Sequence, residues 1–102
     1  MGIKIANPET KTAKTKRLVR PPLYGVIFHN DDFTPFDFVL SILMEICGLS
    51  EEAAFAVTKK VHESGKGCGG VYTRDIAETK QNLILKAAEQ DGHPLSVTVE
   101  PA

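Results

Sequence analysis

The sequence predicts an α+β domain in which a three-stranded antiparallel sheet packs against three helices. Its 102 residues are 42% apolar and 25% charged, as in an ordinary soluble globular domain, and leave room for a single core. Apolar residues alternate with a period of two in some stretches and near 3.6 in others, in the order strand, helix, helix, strand, helix, strand. About 80 residues in that order are most compact as one sheet covered by helices.

Residues 1–20 differ in composition from the rest of the chain. They carry six of the 12 Lys and Arg residues but only one acid, Glu9, and they show no apolar period. We therefore expect a flexible basic N-terminal arm, followed by a core domain over residues 21–102 that begins at Pro21 and Pro22. Binding to nucleic acid is disfavoured, because the arm lacks interleaved aromatic residues and adjoins an acidic body. No apolar run is long enough to span a membrane.

The first strand and the first helix flank a polar stretch, His29–Pro35. An apolar run over residues 23–28 predicts the strand. A nearly apolar run over residues 36–47 predicts the helix, which Gly48 ends. This helix has two apolar stripes, one more than a small core needs, so part of its surface is available for another purpose.

Helix capping explains only part of the polar stretch. Thr34 is a good N-cap, Pro35 suits the first helical position, and Asp37 would complete a capping box. Three polar side chains remain without a structural purpose: Asn30, Asp31 and Asp32. They fall where a strand gives way to a helix, so their side chains can converge on a ligand.

Ser50 is expected to cap a second helix that extends to Glu63. The glycine-rich run Gly65–Gly70 has the wrong context for a phosphate-binding loop and is interpreted as a tight connection into a short strand, residues 71–73. The alternation over residues 94–100 predicts the last strand.

The third helix is predicted over residues 74–90. Its inner side is expected to consist of Ile76, Ala77, Leu83, Ile84, Ala87 and Ala88. Its outer side is expected to consist of Asp75, Glu78, Lys80, Gln81, Lys86 and Glu89.

Several motifs, in their order and spacing, resemble the ClpS adaptor family over about residues 21–102. They are Pro22–Tyr24, Asn30–Pro35, Val61–Gly67, Gly70–Thr73, Ile76–Lys80 and His93–Leu95. The resemblance implies a βααβαβ domain that acts as an adaptor and not as an enzyme.

In this family the adaptor binds proteins with a bulky hydrophobic N-terminal residue (Phe, Tyr, Leu or Trp), the N-degrons of the N-end rule. It delivers them to the AAA+ unfoldase ClpA for degradation by ClpP, and the unfoldase engages a flexible N-terminal extension that the basic arm resembles. The resemblance implies no metal and no cofactor. We expect a monomer in the bacterial cytoplasm, with the plastid stroma as the alternative compartment.

The resemblance also implies a role for individual residues. Asn30, Asp32 and His62 would bind the α-amino group of the substrate, and Asp31 would hold its peptide backbone. The walls of the hydrophobic pocket would be Phe28, Thr34, Phe36, Val39, Thr58, Val61 and Leu95. The contact with the unfoldase would be made by Asp75, Glu78 and Lys80.

Two pocket positions depart from the family pattern, because many members have Met where this chain has Phe36 and Thr58. Met is flexible and lets a pocket reshape around different guests, whereas Phe is stiff. Thr58 is expected to place a hydroxyl in the wall, which penalises a guest that buries it without a partner. The two changes predict a preference for aromatic N-terminal residues over Leu.

Two other classes of function fit parts of the sequence. A thiol or metal enzyme would use Cys68, His62, His29 and the aspartates. However, alternation along the first strand turns His29 away from the face of Phe28, and Cys68 has no evident activating group. The other cysteine, Cys47, is expected to be a core residue. An interaction module of ribosomal-stalk type shares the small helix-and-sheet architecture, but it gives no reason for Asn30, Asp32 and His62 to converge.

Overall fold

The computed structural model describes residues 20–102, so the predicted arm lies outside the described part except for Arg20. The elements, numbered along the chain, are β1 (Leu23–His29), α1 (Phe36–Glu45), α2 (Glu51–Ser64), β2 (Lys66–Thr73), α3 (Arg74–Gln90) and β3 (Ser96–Pro101). The predicted order of strands and helices is confirmed, and the bounds of α3 are those predicted.

The sheet is antiparallel and has β1 at its centre, with β2 on one side and β3 on the other. Successive strand residues point to opposite faces, and Val26, Phe28 and Val97 point to the face covered by helices, where they are buried. On the other face, His29 Nε2 lies 2.8 Å from Thr98 Oγ1. The expectation that His29 points away from the face of Phe28 is therefore confirmed.

Gly65 caps the end of α2, and the rest of the glycine-rich run, residues 66–70, belongs to strand β2, so the interpretation of the run as a tight connection was wrong. The reason is packing: a Cβ atom on Gly69 would lie 2.6 Å from Phe28 Cε1 and 2.9 Å from Leu43 Cδ2. Gly67, two residues earlier on the same face, would place a Cβ 3.0 Å from Val61 Cγ2. These glycines let the backbone of β2 approach the core where a side chain would collide with it.

The start of α1 differs from the capping box that the sequence suggested. Pro35 occupies the N-cap position and makes no side-chain capping bond. The hydroxyl of Thr34 donates to Asp31 Oδ2 at 2.7 Å, so it stabilises the loop and does not cap the helix. The prediction for Ser50 is confirmed, because its Oγ accepts a hydrogen bond from the backbone N–H of Ala53 at 3.2 Å.

The inner face of α3 is rotated relative to the prediction. Ala77, Ile84 and Ala88 are buried, but Ile76 and Leu83 are 47% and 50% exposed. The buried stripe passes through Gln81, which was expected to face outward and instead donates its side-chain N–H to the backbone carbonyl of Val97 at 2.8 Å. The apolar periodicity does not reveal this rotation, because the buried stripe contains a polar residue, Gln81, whose hydrogen bond to β3 satisfies it.

Candidate functional site

A cavity of about 210 Å³ opens between the loop after β1, the first turns of α1 and the C-terminal half of α2. It is lined by Asn30, Asp31, Asp32, Thr34, Phe36, Val39, Thr58, Val61 and His62. These residues come from two separate parts of the chain, and the packing of α1 against α2 brings them together.

Asp31 holds the loop in shape. Its Oδ1 accepts from the backbone N–H groups of Phe33 and Thr34 at 2.8 and 2.7 Å, and its Oδ2 accepts from the Thr34 hydroxyl. Partial burial raises the pKa of Asp31, but these hydrogen bonds outweigh it and hold the pKa below its usual value, with a small contribution from the charge of His93. The family resemblance implied that this carboxylate holds the peptide backbone of the substrate, which stays a prediction. The sequence also contains a signal for the observed loop bonds, because Asp followed three residues later by Thr is a pattern that local side-chain bonds favour.

A backbone hydrogen bond joins the loop to the end of α2. The N–H of Asn30 donates to the carbonyl of Gly65 at 2.8 Å. Gly65 ends α2 in a left-handed conformation with φ of 96°, which glycine adopts without strain. His62 lies in the last turn of that helix, so the bond holds it beside the loop that carries Asn30 and Asp32.

Polarity changes from the mouth of the cavity to its floor. Asn30, Asp32 and His62 are exposed, and their side chains make no hydrogen bond to another described residue. Thr34 and Phe36 are half-buried, while Val39, Thr58 and Val61 are buried. Acceptor groups thus surround an opening that leads to an apolar floor.

Thr58 presents less polarity to the cavity than the sequence suggested. Its Oγ1 donates a hydrogen bond to the backbone carbonyl of Ala54 in the previous helical turn, at 2.7 Å. Because the hydroxyl proton is already satisfied, a guest that covers this wall does not strand a donor. The expected penalty on apolar guests at Thr58 is correspondingly small.

Two of the residues expected in the pocket wall do not line the cavity. Phe28 is fully buried and Leu95 is 6% exposed, both within the hydrophobic core. Sequence reasoning also passed over Phe55, whose ring lies edge-on to that of Phe36 with 5.5 Å between centroids. Its position three residues before Thr58 places it near the same helix face, which is the one sequence signal that could have identified it.

The residues expected to contact the unfoldase lie on α3. Asp75 and Glu78 are exposed, and a hydrogen bond from Thr73 Oγ1 lowers the pKa of Asp75. Lys80 was expected to be outward but is half-buried, because its Nζ donates to the carbonyl of Ile46 at 2.7 Å beyond the end of α1. Lys80 thus stabilises the C-terminal end of α1 through this hydrogen bond, in addition to any role at the surface.

Neither cysteine lines the cavity. Cys68 lies on the sheet face opposite the glycines that meet the core, and burial raises the pKa of the Cys47 thiol. Within residues 20–102, no group of three His, Cys, Asp or Glu side chains is placed to hold a metal ion. In the same part of the chain, no helix is both long and apolar enough to cross a membrane.

Comparison with known proteins defines the class. Residues 19–98 match the family model described as the ATP-dependent Clp protease adaptor protein ClpS. The chain is 51% identical over 80 residues to the Clp protease adapter protein ClpS of Neisseria gonorrhoeae, covering 78% of this chain and 77% of that protein. It is 42% identical over 96 residues to ClpS of Helicobacter hepaticus, covering 94% of this chain and 97% of that protein.

A solved structure shares the fold. Agrobacterium tumefaciens ClpS2, determined bound to L-phenylalaninamide, superposes with a TM-score of 0.78 at 38% identity, over 81% of this chain and all of that one. Fold and sequence together define this protein as a protease adaptor. The chain belongs to the ClpS family.

Proposed function

We propose that this protein binds substrates through a bulky hydrophobic N-terminal residue and delivers them to a ClpA-type unfoldase for degradation by ClpP. The observation that carries the proposal is the cavity with acceptor side chains at its mouth and apolar side chains at its floor. An N-terminal residue has the matching form, because its ammonium group and its side chain leave the same carbon atom.

The ammonium group of such a residue has three donors and no acceptor. Asn30 Oδ1, the Asp32 carboxylate and one nitrogen of a neutral His62 are acceptors at the mouth of the cavity. A hydrogen bond to a charged group contributes about 1.5–3 kcal/mol. An internal residue of a polypeptide has an amide in place of the ammonium and would lack this contribution, so the mouth selects chain ends.

The floor supplies the second part of the affinity. Val39, Thr58 and Val61 are buried there, and burying a Phe or Leu side chain against such a surface contributes roughly 1.5–3 kcal/mol. The relative from Agrobacterium tumefaciens supports this mode, because L-phenylalaninamide carries a free amino group, an aromatic side chain and an amide where the peptide would continue.

The decisive experiment is fluorescence anisotropy with a peptide that begins with Phe, in free and N-acetylated forms. Acetylation removes the charge and adds bulk at the mouth, so we expect affinity to fall at least tenfold, or about 1.4 kcal/mol. Equal affinity for the two peptides would refute N-terminal recognition.

Aromatic N-terminal residues should bind better than Leu. Phe36 is the wall position that carries this preference, because aromatic pairs in offset or edge contact gain about 0.5–1.5 kcal/mol beyond the area they bury. Replacement of Phe36 and Thr58 by Met should raise the affinity for peptides that begin with Leu relative to those that begin with Phe. Unchanged relative affinities in that variant would show that selectivity lies elsewhere.

A further inference from the structure

The ring of Phe36 in the pocket wall is in contact with a second aromatic ring, that of Phe55, which lies outside the family motifs. Phe36 begins α1, and the ring of Phe55 on α2 meets it at a centroid distance of 5.5 Å and an interplanar angle of 61°. Phe36 lines the cavity, whereas Phe55 does not. The two rings thus form a pair of which one member faces the guest and the other stands behind it.

Phe55 is only partly buried in the fold. It is 50% exposed, as Leu83 is, so the contact of its ring and not its exposure indicates a role. Among the described residues, its one aromatic contact is the ring of Phe36. An edge-to-face pair has a preferred geometry, and it therefore restricts how the ring of Phe36 can turn.

We infer that Phe55 is a specificity-determining positioning residue, which fixes the orientation of Phe36 and so sets how strictly the pocket distinguishes Phe from Leu. This inference rests on the proposed function. An isolated Phe36 at the first position of a helix could rotate away from a branched guest. Held by Phe55, it presents one fixed aromatic surface, which suits a flat guest better than a branched one.

The test is a double-mutant cycle. For each variant, the measured quantity is the affinity for a peptide that begins with Phe divided by the affinity for a peptide that begins with Leu. We expect wild type to prefer Phe, and Phe55→Ala to reduce that preference by about two- to tenfold. In the Phe36→Met background, Phe55→Ala should leave the ratio unchanged, because Phe55 acts only through the ring of Phe36.

Controls separate this role from general packing. Phe55→Tyr keeps the ring and should retain the wild-type ratio. Leu83→Ala removes a side chain of equal exposure from α3 and should change neither affinity. Thermal unfolding of each variant reports any loss of stability, which by itself moves both affinities together and leaves their ratio as it was.

Three results would overturn the inference: a wild-type ratio near one, a ratio that Phe55→Ala does not change, or an equal change in the Phe36→Met background. Each of these is compatible with N-terminal recognition, provided that free peptides bind and acetylated ones do not. If wild type binds neither free peptide, the proposed function fails and the inference fails with it.

Discussion

At the scale of single residues, His62 is proposed to accept a hydrogen bond from the ammonium group of the substrate. A neutral imidazole has one nitrogen that accepts a hydrogen bond, whereas a protonated imidazole has two donors, no acceptor and a positive charge. His62 is exposed and lines the cavity, so a substrate that enters the mouth can reach its ring nitrogens.

Removal of this acceptor should weaken binding. We expect His62→Ala to lower the affinity for an N-terminal Phe peptide by about 1.5–3 kcal/mol, or roughly ten- to a hundredfold. Anisotropy titrations of wild type and variant at neutral pH measure the effect. Unchanged affinity in the variant would exclude His62 from the binding site.

Asp31 predicts a pH dependence of stability. Its pKa is lowered in the folded protein, so the ionised carboxylate stabilises the fold at any pH above its ordinary value near 3.9. This contribution is lost as the pH falls below that value and through the lowered pKa.

Asp31→Asn keeps the shape of the side chain but loses the charge and one acceptor oxygen for the Thr34 hydroxyl. We expect the free energy of unfolding at pH 7 to fall by about 1 kcal/mol. The variant should also lose less stability than wild type between pH 4 and pH 2, which urea unfolding at a series of pH values measures. Parallel losses in the two proteins would show that Asp31 does not hold the loop through its charge.

At the scale of elements, strand β2 depends on glycine for its distance from the helices. A side chain at Gly69 would overlap the ring of Phe28 and a methyl group of Leu43. These two residues are fully buried and have no free space into which to move.

Gly69→Ala should therefore destabilise the protein by about 1–3 kcal/mol, despite the better strand propensity of Ala. The matched control is Gly25→Ala in β1, where the nearest atoms lie at 3.2 and 3.3 Å and belong to side chains. Chemical denaturation of both variants gives the comparison. A loss at Gly69 no larger than that at Gly25 would contradict the packing explanation.

At the scale of the whole molecule, substrate binding and delivery are expected to use different surfaces. The cavity is built by the β1–α1 loop, α1 and α2, whereas Asp75 and Glu78 lie at the start of α3. Glu78 accepts a hydrogen bond from Arg74 Nε at 3.1 Å in an exposed pair, which contributes little to stability.

Glu78→Lys should leave peptide affinity unchanged and weaken the complex with a ClpA-type unfoldase by about tenfold, or 1.4 kcal/mol. Glu89→Lys makes the same change of charge about three turns further along α3 and serves as the control. Binding titrations of each variant with the unfoldase measure the difference in affinity. Loss of peptide binding in Glu78→Lys would mean that the two surfaces are not separate.

Removal of residues 1–20 tests the arm in the same way. The family resemblance implies that this segment serves delivery, so peptide affinity should be retained while degradation of a reporter with an N-terminal Phe slows. Degradation at the full-length rate would show that the arm is not needed.

The order of the elements, the bounds of α3 and the cap at Ser50 followed from the sequence, because periodicity and capping are properties of neighbouring residues. Motif resemblance named all nine residues that line the cavity. Tertiary structure alone decided which apolar residues face a core and which face a cavity. Phe28 and Leu95 are buried, Leu83 is exposed, and the ring of Phe55 supports Phe36 across two helices. These outcomes depend on distances between elements that are far apart in the chain, and no local pattern records such distances.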